Sequence, residues 1–276
     1  MTHINTKVRK PTIGIIGNGF VGEAQAFAFS PVAELKIYDI DPLRASNTLA
    51  ETHNSDYVFV CVPTPMTKDG SQDISFVEDV FKNSTSKAIY IIKSTVLPGT
   101  TEKLKINYPK TKIIFSPEFL TERTAKLDML TQNRIILGGE YKWTDLVKKI
   151  YLLRFKNKNI IQTDSKTAEL IKYMNNSFFA TKVAIMNEFK LLSDKLGTNW
   201  DDALNGFASD GRVGDSHLDV PGPDGKLGYG GKCFPKDVNA LISFAKKNKI
   251  ELHSIIGGWK TNLQVRGEKD WKFDKK

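Results

Sequence analysis

Thr12-Ile13-Gly14-Ile15-Ile16-Gly17-Asn18-Gly19-Phe20-Val21-Gly22, with the helix-prone residues 23–29 behind it, decides how the rest of this chain is read. The apolar run predicts a buried strand, and G-x-G-x-x-G directly after it predicts a strand–turn–helix unit of the dinucleotide-binding kind. Gly17 would permit the tight turn, Gly19 would let a pyrophosphate meet the backbone, and Gly22 would let strand and helix pack closely. The motif alone is weak. It gains weight because a second apolar run, residues 35–38, ends in Asp39 about twenty residues after Gly17, where an acid hydrogen-bonds the adenosine ribose. A carboxylate there repels a 2′-phosphate and favours NAD over NADP, while Arg44 is a nearby positive group that works against this choice.

Further strand-like runs follow at residues 57–62, 88–92, 112–115 and 134–137, with helix-compatible segments such as 76–82 and 143–153 between them. Alternation of this kind predicts an α/β fold with a mostly parallel, Rossmann-like doubly wound sheet. Ligands of such sheets sit outside the carboxyl ends of the strands. Three segments fall there: Val62-Pro63-Thr64-Pro65, Ser94-Thr95-Val96-Leu97-Pro98-Gly99, and Ser116-Pro117-Glu118-Phe119-Leu120-Thr121-Glu122. Singly, each proline-containing loop is a rigid turn; three after successive strands point to function.

After the N-cap residues Thr163-Asp164-Ser165, a helical pattern runs to Leu196 and stops at Gly197. A helix this long predicts the spine of a helical second domain, giving expected domains of 1–163 and 164–276. Leu170, Met174, Phe178, Ile185, Phe189 and Leu192 can form its core. Lys172 and Asn176 share a helix face, either a solvated one or a functional pair. Residues 200–207 predict a short helix, 209–227 a long functional loop, and beyond 251 Gly257-Gly258 interrupts the pattern.

Gly228-Tyr229-Gly230-Gly231-Lys232-Cys233-Phe234-Pro235-Lys236-Asp237 is the densest chemical stretch. Pro235 suits the first turn of a helix, which puts Cys233 just outside a helix N-terminus and beside a lysine. A thiol there ionises more readily than one in the core. The plainer alternative is a small buried residue at a helix start.

The 276 residues suggest roughly two domains. The net charge of +9 is scattered, with small clusters at Lys246-Lys247 and Lys275-Lys276 and no basic stripe interleaved with aromatics, so it reads as a solvated basic surface that suits anionic small molecules as well as nucleic acid; no nucleic-acid partner is expected. No apolar run suffices for a membrane span, and residues 1–10 lack the apolar region of a signal peptide. The two cysteines, Cys61 and Cys233, do not form a disulfide framework, which suggests a cytoplasmic setting; Cys61 is expected in a buried strand. No Cys/His spacing indicates a metal.

Taken in order, the Gly-Asn-Gly-Phe-Val-Gly, Val-Pro-Thr-Pro, Ser-Thr-Val-Leu-Pro-Gly-Thr, Ser-Pro-Glu-Phe-Leu-Thr-Glu, Glu169-Leu170-Ile171-Lys172 with Asn176, and Gly-Tyr-Gly-Gly-Lys-Cys-Phe-Pro-Lys-Asp segments resemble the UDP-glucose/GDP-mannose dehydrogenase family over residues 12–245. The resemblance implies four-electron oxidation of a nucleotide sugar, UDP-glucose above all, by two NAD in turn. It implies Cys233 as nucleophile, Lys172 and Asn176 as oxyanion partners, Asp237 and Thr95 handling a water, and Glu122 assisting hydrolysis. Cofactor contacts would come from Gly17, Asn18, Gly19, Phe20, Val21, Gly22, Asp39, Arg44, Val62, Pro63, Thr64, Pro65, Thr95, Glu122 and Lys236. Substrate contacts would come from Glu118, Phe119, Leu120, Tyr229 and Gly230 as well as Lys172, Asn176 and Cys233, with Arg212 reaching across a homodimer interface.

The chain also departs from the family pattern. The segment between Asp39 and Tyr57 is short, so a strand and helices of the first domain are expected to be missing. A few extra residues fall around 224–227, and the C-terminal nucleotide-sugar domain is expected to be absent. Two other readings stay open: a two-electron β-hydroxyacid-type dehydrogenase, which needs no nucleophilic cysteine, and a non-catalytic nucleotide-binding remnant.

Overall fold

The run that opens the sequence becomes β1 (Thr12–Ile16), buried along its whole length in the computed structural model, which describes residues 9–271. The leader reading of the first residues and the Lys275-Lys276 cluster lie, wholly or for the most part, outside the described residues. From β1 the chain alternates helix and strand: α1 (Phe20–Phe29), β2 (Glu34–Tyr38), α2 (Leu49–His53), β3 (Tyr57–Val60), α3 (Ser75–Lys82) and β4 (Ile89–Ile92). Then come α4 (Thr100–Asn107), β5 (Lys112–Phe115), α5 (Ala125–Thr131), β6 (Arg134–Gly138), α6 (Tyr141–Arg154) and β7 (Asn159–Thr163). The strands form one sheet in the order β2-β1-β3-β4-β5-β6-β7, parallel except where β5 meets β6. The expected mostly parallel, doubly wound sheet is therefore present.

The inner strands β1, β3, β4 and β5 read as continuous apolar runs because both faces are covered. Ile13, Ile15, Phe59, Ile91 and Ile114 point to one core with Phe29 and Tyr151, while Ile16, Val58, Val60, Tyr90 and Ile92 point to the other with Phe81 and Leu104. Each large side chain buried in this way contributes about 1.5–3 kcal/mol. Beyond β2 the chain makes a 3-10 turn at Pro42–Arg44 and the short α2, whose capping box pairs Thr48 with Glu51. It then returns to β3 on the other side of β1, which leaves β2 at the sheet edge. Cys61 lies one residue past β3 and is half-buried rather than inside the strand.

The remaining elements are helical: α7 (Ser165–Leu196), α8 (Trp200–Ala208), α9 (Phe234–Lys247) and α10 (His253–Val265). Helix α7 has 32 residues, about 48 Å at 1.5 Å per residue, and ends at Gly197 with φ +68°. Two compact units result. One comprises residues up to Thr64 together with Asp73–Lys172; the other comprises Pro65–Gln72 together with the residues from Tyr173 onward. In the second unit, Gly258 does not break α10. A Cβ there would lie 3.4 Å from Thr181 Cα and 3.5 Å from Ala184 Cβ, so the glycine serves close helix packing.

A further sequence expectation is corrected. Leu170, Met174, Phe178, Ile185, Phe189 and Leu192 are exposed rather than core. The packed face of α7 carries Ala168, Tyr173, Ala180, Ala184 and Met186, several of them small enough for neighbours to approach closely. Helical periodicity identifies an apolar stripe but does not say which molecule covers it.

Candidate active site

In the first unit, the parallel strands bring their carboxyl ends to one edge, where most of the predicted cofactor residues collect. Gly17 has φ +89°, and a Cβ there would lie 2.7 Å from the Cys61 carbonyl oxygen. A Cβ at Gly22 would collide with the Gly17 carbonyl, whereas one at Gly19 would meet nothing within 4 Å. The turn is therefore tight where the fold needs it and open beside the N-terminus of α1, where a pyrophosphate would accept N–H bonds. Asp39 follows β2, and its carboxylate accepts from Asn18 N at 2.6 Å and Asp41 N at 2.9 Å. Each oxygen keeps acceptor capacity for a ribose hydroxyl. Asn18 Nδ2 donates to the Arg44 carbonyl at 2.8 Å, and the Arg44 side chain extends to solvent beside Asp41. These residues fit the adenosine and pyrophosphate part of NAD.

The predicted loops follow β3, β4 and β5. Ser94 Oγ donates to the Val62 carbonyl at 2.7 Å and so ties the first loop to the second. Pro63 is exposed, Thr64 buried and Thr95 half-buried; Pro65 belongs to the second unit. The third loop is organised by Lys172, whose Nζ donates to the Glu118 carbonyl at 2.6 Å and to Glu118 Oε1 at 2.8 Å. Leu120 N occupies Oε2 of the same carboxylate at 2.7 Å. Phe119 lies under the Lys172 ammonium, 5.5 Å from Nζ to the ring centroid, and Glu122 is exposed on the turn that follows.

Two buried residues of this unit received no role from sequence, although Glu169 stands in a motif quoted above. Lys93, the last residue before Ser94, donates to Ser116 Oγ at 3.3 Å and to the Pro117 carbonyl at 3.1 Å. Burial lowers its pKa to about 8, with Lys172 adding to the fall while Cys61 and Glu118 oppose it. Desolvation likewise pushes the Cys61 thiol up to about 12 and so disfavours its thiolate, against the opposing pull of the nearby Lys93. Glu169, one turn before Lys172, accepts from Gly99 N, Thr101 N and Thr101 Oγ1 at 2.6, 2.8 and 2.6 Å, closing the N-terminus of α4. A lysine at a strand end and a glutamate in a helix carry no signal of burial in a linear sequence.

The second unit assembles the other half of the set at the start of α9. Cys233 is the N-cap, half-buried, and Phe234 and Pro235 open the helix. Its carbonyl accepts from Asp237 N at 2.9 Å. The Asp237 carboxylate is 1% exposed and accepts from Asn176 Nδ2 at 2.6 Å and from Lys236 Nζ at 2.5 Å. The thiol therefore stands at the positive end of a helix dipole, one turn from a buried carboxylate oriented by an amide and an ammonium. Tyr229 is buried and Gly230 precedes the helix in an irregular turn. Arg212 is not gathered with them: its guanidinium is exposed and pairs with Asp210 at 2.5 Å. The loop behind it is held by Lys182, whose Nζ donates to the carbonyls of Val213, Gly214 and Ser216. Among the described residues no helix is long and apolar enough to cross a membrane, and no cluster of three His, Cys, Asp or Glu could hold a metal.

Fold and motif together define a class: a dinucleotide-binding α/β unit followed by an all-helical unit on one long helix. Comparison with known proteins narrows it. Residues 35–153 match the NAD-binding domain of the UDP-glucose/GDP-mannose dehydrogenase family, and residues 166–263 match its central domain. The chain is similar to the UDP-glucose 6-dehydrogenase of Rickettsia conorii, 36% identical over 78% of this chain and 50% of the relative. It is also similar to that of Campylobacter jejuni, 30% identical over 84% of this chain and 67% of the relative. The solved structure of a UDP-glucose dehydrogenase from Pyrobaculum islandicum superposes with a TM-score of 0.84 at 25% identity, covering 95% of this chain and 70% of that one. The chain belongs to the UDP-glucose/GDP-mannose dehydrogenase family. It carries that family's NAD-binding domain, and NAD is the cofactor this domain implies. It spans about half the length of the first of these relatives.

Proposed function

We propose that this chain oxidises the C6 alcohol of a nucleotide sugar, UDP-glucose first among the candidates, to the carboxylate. The observation that carries the reading is the start of α9, where Cys233 caps the helix and the buried Asp237 is oriented by Asn176 and Lys236. Each of the two oxidations removes two electrons, and bound NAD supplies the hydride acceptor for both. Asp237, with Thr95, holds the water that takes the alcohol proton. The Cys233 thiolate adds to the aldehyde carbon, so the sugar stays on the protein as a thiohemiacetal and, after the second oxidation, as a thioester. Lys172 and Asn176 stabilise the oxyanion of the adduct. Water then adds to the thioester with help from Glu122; the C–S bond breaks, the thiolate is regenerated and the carboxylate leaves. One alcohol, two NAD and one water give one carboxylate, two NADH and three protons.

The proposal includes a second copy of the chain as partner. Leu170, Met174, Phe178, Ile185, Phe189, Leu192 and Leu196 recur at intervals of three, four or seven along α7, all exposed. That is one continuous stripe of a kind monomeric proteins rarely leave in water. A cytoplasmic setting belongs to the same reading, supported by two cysteines that form no disulfide.

Counting NADH formed per sugar tests the chemistry. Two per UDP-glucose, abolished in Cys233→Ala and stalled as a trapped adduct in Cys233→Ser, is the expected result. One per sugar with Cys233 dispensable would instead support a two-electron hydroxyacid-type reaction. Binding without turnover would support a non-catalytic role.

A further inference from the structure

The turn that delivers Cys233 to the start of α9 is held by a buried arginine and two partly exposed carboxylates that the scheme above does not use. Arg266 caps the C-terminus of α10, and its side chain is 1% exposed. One guanidinium nitrogen donates to Asp224 Oδ2 and to Asp270 Oδ2, both at 2.7 Å, and another donates to the Leu227 carbonyl at 3.3 Å. Asp270 in turn accepts from Gly231 N at 3.3 Å. A Cβ on Gly230 would collide with the guanidinium and with the Asp270 carboxylate, so the backbone of the turn rests directly on this pair. Alongside, Asn262 makes a two-way bond with Tyr229, accepting from its N at 2.7 Å and donating to its carbonyl at 2.9 Å. Asn187 accepts from Gly228 N at 3.0 Å. Lys226 and Glu268 form a second ion pair between the same two segments.

We propose that Arg266 is a positioning residue for the Cys233 thiol: with Asp224 and Asp270 it fixes the turn at residues 228–231, and through that turn the N-cap of α9. Three features favour this over a merely adhesive role. The guanidinium hydrogen-bonds Asp224 and the Leu227 carbonyl just before the turn and Asp270, which itself accepts from Gly231 N, and it packs directly against Gly230. Gly228 and Gly231 have φ +66° and +71°, a conformation that has to be held against the freedom glycine otherwise has. The segments joined, residues 224–228 and 266–270, lie on either side of α9 and α10 in sequence, so the stretch after α10 supports the turn before α9. The inference rests on the reading of Cys233 as nucleophile.

The test compares Arg266→Met and Arg266→Lys with the wild type in the full chain. Three readouts are needed: amide hydrogen exchange of the peptide spanning residues 228–234, the pH profile of Cys233 alkylation by iodoacetamide followed by mass spectrometry, and the KM–kcat split. In Arg266→Met, exchange in that peptide rises, the alkylation profile shifts, and kcat falls about a hundredfold, the scale of an ångström-sized misplacement, with KM for the nucleotide sugar little changed. Arg266→Lys restores charge without the planar fork and recovers part of each effect. If Arg266→Met does not fold, Asp270→Asn takes its place and moves the same readouts in the same direction by less. A folded Arg266→Met or Asp270→Asn with wild-type exchange and alkylation overturns the proposal. Raised exchange with Cys233→Ala fully active would overturn the thiol chemistry instead and leave the turn-holding role standing.

Discussion

Replacing Lys172 with methionine keeps the stem of the side chain and removes its charge, and the surroundings set the cost. The ammonium and the Glu118 carboxylate are 2.8 Å apart with side chains only 5% and 8% exposed, so solvent does little to screen them. Lys172→Met leaves a buried carboxylate that accepts from Leu120 N but has lost its ammonium, and it removes the same ammonium from the Glu118 carbonyl. One-sided loss of a buried pair costs about 3–5 kcal/mol. For a chain of this size that is a fall of roughly 6–20 °C in Tm. Lys172→Met/Glu118→Gln neutralises both partners and should recover most of the stability. The catalytic loss should stay, because an oxyanion donor is worth about 2.7–4 kcal/mol of barrier whether or not the fold is repaired. Thermal denaturation and steady-state NADH formation on the single and double variants separate the two contributions. A single variant that loses less than about 1 kcal/mol would refute the buried-pair argument, since an exposed pair is worth no more than that. A double variant that regains wild-type rate would refute the oxyanion role.

Two further outcomes follow from other parts of the molecule. Burial raises the Glu169 carboxyl from 4.5 to about 7, against the hydrogen bonds from Thr101 and Gly99. A carboxyl with a raised folded pKa contributes stability that is fully present below its unfolded value and is lost as pH rises through about 7. The wild type should therefore lose stability on the order of 3 kcal/mol relative to Glu169→Gln across that window; parallel pH–stability curves would show that the three donors keep the carboxylate charged throughout. On the exposed stripe of α7, Phe189→Asp should convert a species of twice 31.0 kDa into one of 31.0 kDa in sedimentation at micromolar concentration. A wild type that already sediments as a single chain would remove the dimer from the proposal.

The elements legible beforehand were those whose signal is local. Residues 112–115 and the long helix ending at Leu196 were read with bounds within a residue of those observed, because apolar periodicity and a terminal glycine are properties of neighbours in sequence. The strand at Asn159–Thr163 was missed because its burial pattern is mixed and it includes a glutamine and an asparagine. Helix α10 was obscured by Gly257-Gly258, where one glycine serves contact with α7 rather than a turn. In the candidate site, Lys172, Asn176, Cys233 and Asp237 stood out by type and spacing. Lys93, Glu169 and Arg266 did not, because what distinguishes them is burial beside partners distant in sequence: Pro117 24, Gly99 70 and Asp224 42 positions away.

The amino-acid sequence by itself determined the Gly-rich crossover after β1, the succession of strands, the long helix and the chemical character of the stretch around Cys233. Each depends on conformational or chemical demands that a few adjacent residues express. Only the tertiary structure decided that the apolar stripe of α7 faces outward, that Glu118 is held by Lys172, and that Arg266 lies beneath the turn before Cys233. Those outcomes depend on which distant groups share a low-dielectric interior, where an unpaired charge is costly and a paired one fixes geometry.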